Sequence, residues 1–188
     1  MMTFINMDAD GVVILPTHRV VHGLKNFRAE ELAAKAAPWF EVEHLAAGDT
    51  DAALARLAAL RDQTAFVAAA ASDWLLLKAK PEAVAQALTE ISPRQRQLDV
   101  VQLHALVLER VLGIGPEAVR DETHLRYLRD AAEAVDQVNR GEADVAFLMN
   151  PVTLDELREV AFAGEVLPQK STDFFPKLLS GLAIYALD

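Results

Sequence analysis

The chain has 188 residues, 28 acidic against 18 basic side chains, a formal net charge of −10, 52% apolar residues and no cysteine. That length bounds it to one good-sized core or at most two small ones, the acidic balance argues against a nucleic-acid partner, and the missing thiols remove disulfides, thiolate catalysis and cysteine metal sites. No apolar run reaches the roughly 20 residues a membrane helix needs, and "MMTFINMDADG" lacks the basic start of a signal peptide, so the expected setting is cytoplasmic with no membrane partner.

In chain order, "MMTFINM" and "VVILP" flank the turn chemistry of "DADG", which predicts a β-hairpin. A strand that begins at Met1 would ordinarily pair with something before it; this points to a homo-oligomer or to a missing N-terminal half. An alanine-rich helix is expected near Phe27 to Ala36, a strand at "WFEVEHL", and a helix near Asp49 to Leu60 capped by Asp49 or Thr50. "TAFVAAA" and "WLLLKA" read as a second, buried hairpin, and Pro81 opens a short helix to about Thr89. "LDVVQLHALVLERVLGI" places Leu98, Val101, Ala105, Leu108 and Leu112 on the stripe of one α-helix that ends at Gly113. "HLRYLRD" is a strand, "AAEAVDQVNRG" a helix with Asp130 as N-cap, and "ADVAFLMN" a buried strand. Thr153 and Glu156 have the spacing of a capping box for a helix to about Phe162, and "LAIYALD" closes the chain as a strand. This mixture predicts an α/β or α+β fold, a single domain over residues 1–188 with a mixed β-sheet and flanking helices.

The stretch "LPQKSTDFFPKLLSGL" gathers polar groups around two aromatics. Lys170, Ser171, Thr172 and Lys177 supply two ammonium groups and two hydroxyls, which suit a phosphate or carboxylate; the competing reading is a cap with solvated lysines. At the end of the second expected strand, "PTHRVVHG" sets Thr17, His18 and Arg19 where a sheet presents reactive groups, against the alternative of a solvated strand end. Arg129 in "YLRD" and Asn150 in the "MNP" turn are weaker candidates for the same anion. His18 and His22 are four apart, but Pro16 and Gly23 argue against the helix that a metal pair would need, so no metal site is expected. His104, three after Val101 and four before Leu108, reads as a partly buried structural residue with one hydrogen bond, and Asp99 as a first-turn charge. No glycine-rich phosphate loop is present, and no cofactor is indicated.

"LPTHR", "LDVVQLH", "YLRDAAEAV" and "VAFLMNPVTLDELREVAFAGEVLPQKSTDFFPKLLSGL" together resemble the C-terminal half of the bacterial and archaeal family known as domain of unknown function 1015. Asp173 and Phe175 stand where that resemblance implies tyrosines, as in "KSTYFYPK". Members of the family are usually about twice as long, and their N-terminal half carries a "GHHR" motif similar to the active-site box of ParB and sulfiredoxin-like domains. That motif does not occur here, so the resemblance implies a C-terminal portion that retains ligand contacts without the "GHHR" chemistry. The leading reading is a small-anion or phosphorylated-metabolite site contributed to a larger enzyme-like protein, with a phosphorylated or carboxylate metabolite as partner. The alternative is a non-catalytic structural or interaction module; a phosphotransfer enzyme with His18 or His104 as base ranks last, since neither has an orienting carboxylate nearby in sequence.

Overall fold

Asn6 and residues 11–177 are described by the computed structural model. In chain order the elements are β1 (Val13–Leu15), β2 (His18–Val21), α1 (Ala29–Ala36), β3 (Phe40–Leu45), α2 (Thr50–Ala58), β4 (Ala65–Ala69), β5 (Trp74–Ala79), α3 (Pro81–Ala87), α4 (Pro93–Arg96) and α5 (Asp99–Gln102). A π-helical segment (Leu103–Val111) follows, then α6 (Pro116–Arg120), β6 (Leu125–Leu128), α7 (Ala131–Asn139), β7 (Val145–Met149), α8 (Leu154–Phe162) and β8 (Asp173–Phe175).

Six strands form one sheet in the order β3-β5-β4-β7-β2-β6, and β1 pairs with β8 in a separate two-stranded ladder. The expected mixing of strands and helices is present, in a sheet whose ladders are all antiparallel. The hairpin of "TAFVAAA" and "WLLLKA" forms as β4 and β5, with Ala69 opposite Trp74. The expected first strand in "MMTFINM", apart from Asn6, and the last strand "LAIYALD" lie outside the described residues; β1, for which "MMTFINM" was the expected partner, pairs with β8.

Every residue of β4 and β7 is buried, because helices cover both faces of the sheet. That is why these strands read as continuous apolar runs and not as alternation. On one face Phe66, Phe147, Met149 and Leu75 pack against α1, α5, the π-helical segment and Val160 of α8. On the other, Val20, Val67, Leu76 and Leu148 pack against Ala53 and Leu57 of α2 and Ala131 to Val138 of α7. Phe66 sits edge-on between Phe40 and Phe147 at the first face.

Local sequence sets the helix ends. Asp49 accepts from the Ala52 N–H, Asp130 from those of Ala132 and Glu133, and Thr153 with Glu156 closes the expected capping box. "LDVVQLHALVLERVLGI" departs from expectation: after one α-helical turn it continues as π-helix to Val111. The Leu112 N–H bonds to the Val107 carbonyl five residues back, and this underwinding puts Leu103, Leu106, Val107 and Leu108 all on the buried side. Gly113, at φ +72, ends the segment as expected.

Phe66→Ala removes the ring that joins Phe40 to Phe147 in a fully buried strand, and is expected to lower stability by about 3–5 kcal/mol in urea denaturation.

Candidate functional site

Strand β2 is central, with β7 on one side and β6 on the other, and all four of its residues are buried. Alternation along it sends Val21 into the core beneath the π-helical segment and Val20 into the core beneath α2 and α7. Arg19 therefore shares the face of Val21, and His18 that of Val20. Thr17, His18 and Arg19 do not form one cluster, because the pleat separates the imidazole from the guanidinium.

His18 is 1% exposed, and its Nδ1 accepts a 3.2 Å hydrogen bond from the Met149 N–H. Burial first, and then the Arg19 charge, push its pKa down to about 4, against a smaller pull from Asp130. The ring is neutral, with its acceptor nitrogen engaged by backbone.

Arg19 is 3% exposed, and no carboxylate pairs with it among the described residues. Its Nη1 donates to the Thr17 carbonyl and contacts Met149 Sδ at 3.5 Å, and its Nη2 donates to the Lys170 carbonyl at 3.4 Å. Tyr127, directly opposite on β6, lies with its ring 5.5 Å from the guanidinium carbon. Nε has no partner among the described residues, and burial lowers the guanidinium pKa to about 10. A buried cation held only by neutral dipoles costs several kcal/mol, so this charge is incomplete without an anion.

The polar block near the C-terminal end meets Arg19 through its backbone and through Ser171. Lys170 adopts φ +59, a left-handed conformation uncommon for a lysine, and its carbonyl is the one that accepts from Arg19. Its ammonium lies 6.0 Å from the Tyr127 ring centre and 3.7 Å from Glu122. Ser171 is buried and donates to the Pro168 carbonyl at 2.6 Å. Thr172 leads into β8. Lys177 instead pairs with Asp173, as does Arg129 at 2.9 Å. Burial would raise the Asp173 carboxyl, but the hydrogen bonds from Lys177 and Arg129 outweigh it and hold it below its ordinary value. Asn150 donates to the Leu57 carbonyl at 2.9 Å.

Arg19 and Ser171 line a small cavity of about 40 Å³ together with Arg61, Asn150, Asp99 and Glu156. One water needs roughly 10–15 Å³, so this space accepts about three, the size of a phosphoryl group. Arg61, Asp99 and Glu156 also line an adjoining cleft of about 680 Å³ that runs past Thr64, Arg96 and Gln102. Burial, and then the Glu156 carboxylate, push the Asp99 carboxyl up to about 7, against hydrogen bonds from Thr64 and the Ala65 backbone. Glu156 Oε2 is held by the Thr153 N–H at 2.7 Å and the Thr153 hydroxyl at 2.8 Å. Near neutral pH the cavity thus faces two guanidinium charges, one fixed carboxylate and one half-titrated carboxyl.

Sequence reasoning gave Asp99 and Glu156 helix-terminal roles and assigned nothing to Arg61. The available signal was Asp99 itself, a carboxyl set between Leu98, Val100 and Val101, all buried. His104 is partly buried as expected, but the hydrogen bond expected of it is missing: Nε2 has no partner among the described residues. Burial and then Arg19 push its pKa down to about 3, and it stands on the wall of a separate, mainly apolar cavity of about 410 Å³.

Residues 1–101 match the family described as "Protein of unknown function (DUF1015)". The chain belongs to this family. The resembling block from Val145 to Leu182 lies beyond the matched residues. No curated protein matches the chain. Among solved structures, a conserved hypothetical protein from Pyrococcus furiosus aligns with a TM-score of 0.51 and 17% identity over 90% of this chain and 59% of that one. A free serine kinase in complex with AMP aligns with a TM-score of 0.51 and 18% identity over 90% of this chain and 56% of the kinase. A variant of that kinase in complex with ADP gives 0.50 and 16%, over 92% and 57%. At these identities the likeness is one of fold, and the chain spans less than two thirds of the length of each. No helix among the described residues is long and apolar enough to cross a membrane.

A stability measurement isolates Asp99. Its folded pKa, about 7, lies above the ordinary 3.8, so between these values the folded state binds more protons than the unfolded one and stability falls as pH rises. The full cost is present above pH 7. Asp99→Asn cannot ionise, and urea denaturation is expected to show no gain below pH 4 and a gain of up to about 4 kcal/mol at pH 8. The depressed histidines act in the opposite direction on the acid side and cancel in the difference.

Proposed function

We propose that this chain binds the phosphoryl group of a small phosphorylated metabolite, with Arg19 as the principal counter-charge and Ser171 and Lys170 framing it, as part of a larger enzyme-like protein. The observation that carries this reading is the Arg19 guanidinium, buried on a central strand with no carboxylate among the described residues and one N–H unpartnered. The cavity beside it has room for a phosphoryl group, and the adjoining cleft has room for a nucleoside or a body of similar size. The AMP and ADP complexes of a kinase with this fold agree with a mononucleotide as ligand.

Arg19→Met separates the two purposes the residue could serve. A flexible apolar chain of similar length fills the space and removes an uncompensated buried charge, so a ligand-binding arginine can be lost without loss of stability. Calorimetric titration with AMP and ADP is expected to show at least about tenfold weaker binding in this variant, with an unchanged or higher melting temperature. Equal affinity in both proteins, or no binding by the unaltered chain, would overturn the reading in favour of a non-catalytic structural or interaction module.

A further inference from the structure

The geometry points to Asp99 as the residue that makes this cavity select inorganic hydrogen phosphate over sulfate, by accepting a hydrogen bond from a proton the ligand itself carries. This rests on the anion site proposed at Arg19 and assigns its selectivity.

A guanidinium does not distinguish phosphate from sulfate. Both are tetrahedral oxyanions of nearly equal size, and Arg19 offers each the same N–H donors. The difference near neutral pH is a proton: hydrogen phosphate keeps one, and sulfate has none. A carboxylate in the wall of the cavity reads that difference. It accepts from P–O–H, and it meets only lone pairs and like charge on sulfate.

Asp99 is placed to do this. It lines the 40 Å³ cavity with Arg19 and also the larger cleft, so it stands where the two spaces join. The charged groups around that junction are Arg19 from β2, Arg61 from the turn after α2 and Glu156 from α8, with Arg96, Asp62 and Glu41 further along the cleft. Glu156 is fixed in the capping box, its Oε2 taking both Thr153 donors. Arg19 supplies the independent sign of a ligand: a side chain 97% shielded from solvent, with an unpartnered Nε, on the wall of the same cavity.

One proton is therefore shared between Asp99 and the bound anion, and pH decides which of them brings it. Burial and Glu156 set the Asp99 transition near pH 7. Below it the protonated carboxyl donates to either ion and discrimination is small. Above it the carboxylate has no proton to give, and only a ligand with its own O–H is accepted. A site built around a ligand hydroxyl rejects the analogue that lacks it, because the acceptor then faces only lone pairs and like charge.

The test is calorimetric titration of inorganic phosphate and sulfate at matched ionic strength, at pH 6 and pH 8, with the unaltered chain and with Asp99→Asn. Phosphate is expected to bind at least about tenfold more tightly than sulfate at pH 8, with a smaller ratio at pH 6. In Asp99→Asn the amide donates to both ions, so the ratio should fall to within about twofold at either pH. Equal affinity for the two ions in the unaltered chain at pH 8 overturns the assignment of Asp99 while leaving the anion site standing; this readout needs no variant. Retained selectivity in a folded Asp99→Asn overturns it as well. Binding of neither ion overturns the anion site and this inference together.

Discussion

A guanidinium buried on an interior strand, with no carboxylate paired to it among the described residues, is the constraint around which this fold is arranged. An arginine in that position must be desolvated, and a salt bridge is the usual remedy. Here the neighbours are the carbonyl of Thr17 just before the strand, a thioether from β7, the face of Tyr127 on β6 and the carbonyl of Lys170. All are dipoles or π-electrons, and together they orient the cation without neutralising it. The left-handed turn at Lys170 acquires a reason from this, since it brings a carbonyl from 151 residues away in sequence onto Arg19.

The same arrangement explains a pair of acids beside a site for an anion. Glu156 is needed where it is because the capping box that starts α8 requires a carboxylate three residues after Thr153. Asp99, half-buried between apolar neighbours and close to that fixed charge, responds by holding its proton to about pH 7. With Asp99 neutral the cavity carries one net positive charge from Arg19, Arg61 and Glu156. With Asp99 ionised it carries none. The electrostatics of the cavity thus turn on one titration near neutrality, set by packing and a helix cap.

Much of the secondary structure was legible because it is written locally. Asp49, Asp130, Thr153 and Glu156 announce helix starts by their own hydrogen-bonding reach, and β4 and β5 by length and turn signals. The π-helical segment was not, since Leu103, Leu106 and Val107 exceed one α-helical stripe and the surplus can be settled only by what packs against it. The antiparallel order of the sheet, which joins β2 to β7 across most of the chain, also has no local signature. For the candidate site, the residue types were visible and their grouping was not. Lys170, Ser171 and Arg19 do meet, but Lys177 and Arg129 converge on Asp173, at a position where the family resemblance implies a tyrosine. An aspartate there draws both cations to itself and so decides where they point.

The pleat of β2 settles how two adjacent ionisable residues divide their work. His18 faces α2 and α7, in a core whose other members are apolar, and its ring extends the hydrogen bonding of β7 by taking the Met149 N–H. A protonated imidazole would lose that acceptor and place a second cation one residue from Arg19. Both effects oppose protonation, and the depressed pKa follows. Arg19, one residue on, faces the side where α5 and α8 bring Asp99 and Glu156 to the sheet. The neutral histidine therefore keeps the charge of this strand on a single face, and the only cation that β2 contributes is the one that opens onto the cavity.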